Sequence, residues 1–169
     1  VVGGRAIHPV NVRVGGFYRL PTRSELGRIV PRLEQAREDA LAAIRLVAGF
    51  DFPEFTQPYP YLALRAEHGY SIESGTPVTT TGLTFAVSDF TRHITEHHVA
   101  HSNALQATLD GEIYVVGPLA RYTLGFDRLS PTCQEAARAA GLEETCRNPF
   151  MSIIVRGVEL LYAVEEALR

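Results

Sequence analysis

Apolar positions change their spacing along this chain, and each change predicts a different element. Between residues 7 and 20 they alternate loosely with polar ones and include β-branched Ile7, Val10, Val12 and Val14, which predicts a strand or strand pair ending at Pro21. From Leu26 the spacing becomes three and four. Leu26, Ile29, Val30, Leu33, Ala36, Ala40, Leu41, Ile44, Val47 and Ala48 mark one face of a helix, and Glu34, Arg37, Glu38 and Arg45 fall off it. Thr22 and Glu25 have capping-box spacing and predict the helix start, while Gly49 predicts its stop. Pro31 lies inside the pattern, so it either kinks the helix or marks its true first turn.

Residues 51–61 are rich in aromatics and prolines, which reads as an ordered, irregular connection. Short strands are expected at 61–67, 70–74, 83–87 and 113–116, separated by Gly69, Gly75, Gly82 and Gly111. Ser130 before Pro131 predicts the N-cap and first turn of a helix running through Ala140 to a stop at Gly141. Asn148 before Pro149 repeats that signal for a longer helix whose apolar face is Ile154, Val158, Leu161 and Leu168. Helices thus flank a central group of strands. The fold class is α+β, a small mixed or antiparallel sheet packed against about three helices. No internal repeat or low-complexity tract divides the chain, so 1–169 is read as a single domain.

With 169 residues, 46% of them hydrophobic, and a mean hydropathy near zero, the chain can bury one sizeable core. The net charge is −3 and the sixteen basic residues, all arginine, read as scattered. That gives no electrostatic footprint for nucleic acid or an anionic membrane. No apolar run is long enough to span a bilayer and no signal peptide is evident, so a soluble, cytoplasmic protein is expected. Cys133 and Cys146 are too few for a disulfide framework and are expected to be thiols behaving as small buried hydrophobes.

Two sets of residues could carry chemistry. His93, His97 and His101 are spaced by four, so on a helix they would line one face and offer imidazoles to zinc, with Glu96 and His98 alongside. The His-Glu-x-x-His order that sets a general base beside the metal is absent, and a structural role is the preferred reading. The second set lies in the opening stretch Gly3-Gly4-Arg5-Ala6-Ile7-His8-Pro9-Val10-Asn11-Val12-Arg13-Val14-Gly15-Gly16-Phe17. His8 is read first as a side chain that bonds a backbone carbonyl and fixes the strand entry. The arginine forks of Arg5 and Arg13 suit a carboxylate on another segment.

That opening stretch closely resembles the Gly-Arg-x-x-His-Pro-x-x-x-Arg-x-Gly-Gly-Phe segment of nickel-iron hydrogenase large subunits, particularly the cytoplasmic kind coupled to a soluble nicotinamide or deazaflavin cofactor. Three further segments are similar to the family's in the same order, Tyr59-Pro60-Tyr61-Leu62-Ala63-Leu64, Val116-Gly117-Pro118-Leu119-Ala120-Arg121-Tyr122 and Asn148-Pro149-Phe150-Met151-Ser152-Ile153, and Glu96 to Leu105 is similar to a stretch of the family that holds no metal ligand. The resemblance implies the middle portion of such a subunit and its fold. It implies a parent that splits dihydrogen at a nickel-iron centre and passes electrons through an iron-sulfur small subunit. In the family two Cys-x-x-Cys pairs hold the metals, and here they would precede Val1 and follow Arg169. No nickel or iron ligand therefore maps onto this chain, which is expected to be inactive alone and to hold no cofactor. Arg5, His8 and Arg13 would support the metal cavity by orienting groups beside it. The implied partners are the remaining segments of the large subunit and the small subunit, with self-association through exposed apolar surface. Two rival readings are a quinone-binding subunit related to respiratory complex I, which the Val-Gly-Pro-Leu-Ala-Arg run disfavours, and a noncatalytic interaction or assembly protein that keeps this fold.

Overall fold

Thr22 does cap a helix, but a short one. In the computed structural model, which describes residues 2–169, the chain opens with β1 (Val12–Arg13) and β2 (Gly16–Phe17), an antiparallel pair two residues long. Gly15, at φ +81°, supplies the left-handed turn position between them. The Thr22 hydroxyl accepts from the Glu25 N–H at 3.2 Å, and the Glu25 carboxylate accepts from the Thr22 N–H at 2.8 Å. This capping box starts α1 (Arg23–Gly27), which ends within two turns. A new helix, α2 (Val30–Ala48), follows with Pro31 in its first turn, where the missing N–H would be unpaired in any case. The single helix expected from Thr22 is therefore two, and Pro31 marks a start. Gly49 closes α2 in the right-handed region, φ −82°, without the left-handed geometry of a glycine stop.

Residues 51–60 form no regular element. The chain then makes a ribbon from β3 (Leu62–Arg65) and β4 (Thr76–Thr79), antiparallel with Leu62 opposite Thr79. One turn of helix, α3 (Phe90–His93), leads into a second antiparallel ribbon of β5 (Ile94–His97) and β6 (Gln106–Leu109), with Ile94 opposite Leu109. The expected single sheet is thus three separate two-stranded ribbons. Antiparallel pairing holds, but 70–74 forms no strand. Residues 83–87 and 113–116 contribute only bridges, Thr84 to Val78 and, in parallel, Val115 to Tyr61.

Helices close the chain. In α4 (Pro118–Gly125) Leu119, Ala120 and Tyr122 are buried. Gly117 precedes it at φ +84°, ψ −153°, a conformation open only to glycine. The Ser130 hydroxyl accepts from the Cys133 N–H to cap α5 (Pro131–Ala139). That helix ends at left-handed Gly141, whose N–H donates to Arg138 O while Leu142 N–H donates to Ala137 O, the paired bonds of a Schellman motif. Asn148 accepts from the Phe150 N–H to start the turn before α6 (Ser152–Leu168). Its residues Ile154, Val155, Val158, Leu161 and Val164 are buried.

The main core lies among α2, α4, α5 and α6, centred on Ile44, Tyr122, Cys133 and Val158. Gly157 sets the α2–α6 distance, because a Cβ there would stand 2.9 Å from Ile44 Cγ1. A smaller cluster of Leu62, Phe85, Ile94 and Leu109 joins the two ribbons. No described residue before Ala40 is buried.

Candidate functional site

The opening stretch is held together by its own backbone. Gly3 O accepts from the N–H groups of Val10 and Asn11 at 2.9 and 3.1 Å. Asn11 then ties both ends: Nδ2 donates to Val2 O and Arg19 O at 2.8 and 2.6 Å, and Oδ1 accepts from the Arg19 N–H at 2.9 Å. Arg5 folds back, its Nε donating to the carbonyls of Ile7 and His8 at 2.7 and 2.6 Å. The group of His8 that meets Arg5 is its backbone carbonyl. Arg13 lies over the Tyr18 ring at 5.7 Å, a contact worth well under the energy of a buried ion pair. Arg5, His8 and Arg13 are exposed. Asn11 is the residue whose role was missed. A short polar side chain between two glycine pairs was the available signal.

The histidines do not share a helix face. His93 closes α3, with Nδ1 3.0 Å from Asp110 Oδ1 and its ring 4.4 Å from that of Phe85. His97 ends β5 and His101 lies in the turn before β6. The spacing of four lines up one face only within a single continuous element, and these three histidines fall in a helix, a strand and a turn. Among the described residues no group of three or more His, Cys, Asp or Glu side chains is placed to hold a metal ion.

The cysteines are sealed in the core. Cys133 Sγ lies 3.6 Å from Glu165 Oε2 and 3.9 Å from Val158 O, and burial pushes its thiol up to about 12. Cys146 Sγ lies 3.7 Å from Asn148 O, and burial raises its thiol as well. A centre held by two Cys-x-x-Cys pairs needs clustered thiolates, and among the described residues Cys133 and Cys146 form no such pair and no group of three or more ligands. The residues present therefore do not fit a nickel-iron centre, and no chemical step passes through one here.

The most developed polar arrangement is one that spacing did not reveal. Arg121 on α4 grips Glu159 on α6 with two parallel bonds, Nε to Oε1 at 2.7 Å and Nη2 to Oε2 at 2.8 Å. The Tyr70 hydroxyl donates to the same Oε1 at 2.7 Å. Glu159 is 12% exposed, so the fork works in a partly desolvated place where such pairs are strong. Burial and then the Glu159 charge drive the Tyr70 phenol far above its usual value. Tyr70 also meets the Tyr162 ring edge to face at 5.2 Å. Arg121 and Glu159 reach the rim of an open groove of about 700 Å³ that Ser152 and Arg156 also line. With both carboxylate oxygens engaged, Glu159 fastens α4 and the loop after β3 to α6. A second fork, Arg65 on Asp127 at 2.7 and 3.0 Å, ties β3 to the end of α4 and holds the Asp127 carboxyl below its usual range.

Comparison with known proteins bears on the whole chain. Sulfhydrogenase 1 subunit alpha of Pyrococcus furiosus is 28% identical over 170 aligned positions, covering 99% of this chain and 40% of that protein. This chain resembles a hydrogenase alpha subunit. It spans two-fifths of that relative's length. The crystal structure of an NAD+-reducing [NiFe]-hydrogenase in the H2-reduced state shares its fold, with a TM-score of 0.74 over 98% of this chain and 42% of that one, at 18% identity. No family model matches.

The hydrogenase-like segments have structural work in this fold. Tyr61, in segment 59–64, bridges to Val115 and donates its hydroxyl to Cys146 O at 2.8 Å. Segment 116–122 is the start of α4 and carries Arg121. In segment 148–153, Asn148 caps the turn before α6 and donates from Nδ2 to Pro53 O at 2.8 Å. These three segments meet around α4 and α6, whereas Glu96 to Leu105 forms the exposed end of the β5–β6 ribbon.

Proposed function

We propose that this chain is the central structural segment of a nickel-iron hydrogenase large subunit. The parent oxidises or produces dihydrogen in the cytoplasm and passes electrons through an iron-sulfur small subunit to a soluble cofactor. The observation that carries this reading is the match of nearly the whole chain, in sequence to one hydrogenase and in fold to another, of each of which it spans about two-fifths. The chain's own residues supply support. The Arg121–Glu159–Tyr70 brace fixes α4 against α6, and the opening stretch, with Arg5, His8 and Arg13, presents groups toward segments contributed by the rest of the subunit. The Val-Gly-Pro-Leu-Ala-Arg run of α4 favours a hydrogenase over a quinone-binding relative.

Metal analysis of the purified chain by plasma mass spectrometry, beside hydrogen-dependent dye reduction, tests its own part. Absence of nickel, iron and activity is the expected result. Stoichiometric nickel or iron bound to residues 1–169 would overturn the supporting role, since it would require ligands the core does not offer.

A further inference from the structure

We draw no further inference here: the strongest candidate, the open groove between α4 and α6 lined by Arg121, Ser152, Arg156 and Leu160, borders the Arg121–Glu159 brace already described, and nothing in the structure shows what covers it.

Discussion

At the scale of single residues, the polar chemistry is structural. Glu159 receives three short bonds from two side chains, so replacing it with Gln keeps the shape and leaves the Arg121 fork facing a neutral amide. Glu159→Gln is expected to cost about 2–3 kcal/mol in urea unfolding and Tyr70→Phe about 1 kcal/mol, with the double variant falling short of the sum because both act on one oxygen. Cys133, whose thiol is pushed up to about 12, is almost wholly protonated at pH 8. Mass spectrometry after brief iodoacetamide treatment is expected to show it unmodified in the native chain and alkylated once urea is added. Both cysteines were legible as buried hydrophobes from composition alone. The Arg121–Glu159 pair was not, because its partners are 38 positions apart and only the packing of α4 on α6 brings them together.

Among elements, those with a cap and a period could be read directly. Ser130 with Pro131, Asn148 with Pro149, and the face Ile154, Val158 and Leu161 predicted α5 and α6 because capping and burial point the same way there. Elements with neither signal escaped. β5 and β6 each bury one residue, Ile94 and Leu109, too few to show alternation. α4 is eight residues long and announces itself only by Gly-Pro. The capping box of α1 carries a pH signature. Hydrogen bonds from Arg19, then from Thr22, lower the Glu25 carboxyl to about 2. Its support of α1 is therefore complete above the unfolded value near 4.5 and is lost as pH falls toward 2. An NMR titration of the Glu25 amide and side chain is expected to follow that low midpoint, and a midpoint above 4 would show that the box is open. Between α2 and α6 the contact is steric: Gly157→Ala drives a Cβ against Ile44, with an expected loss of about 1–3 kcal/mol in thermal or urea unfolding.

For the molecule as a whole, the net charge of −3 concealed an uneven distribution, six arginines with one carboxylate before residue 33 and ten arginines with eighteen carboxylates after it, since a sum carries no position. Ordering the arginines along the chain would have shown it. Helices α2, α4, α5 and α6 pack one core, while no described residue before Ala40 is buried. Among the described residues no helix is long and apolar enough to cross a membrane. The chain resembles a hydrogenase alpha subunit in sequence and a [NiFe]-hydrogenase in fold over nearly all its length. The decisive measurement is to capture the native polypeptide with an antibody raised against this chain, then determine its mass, its nickel and iron content, and its hydrogen-dependent dye reduction. The account predicts a polypeptide about two and a half times as long as this chain, by proportion to its relative, that carries nickel and iron and reduces dye under hydrogen. A captured polypeptide of that size with neither metal nor activity, or one no longer than this chain, would contradict it.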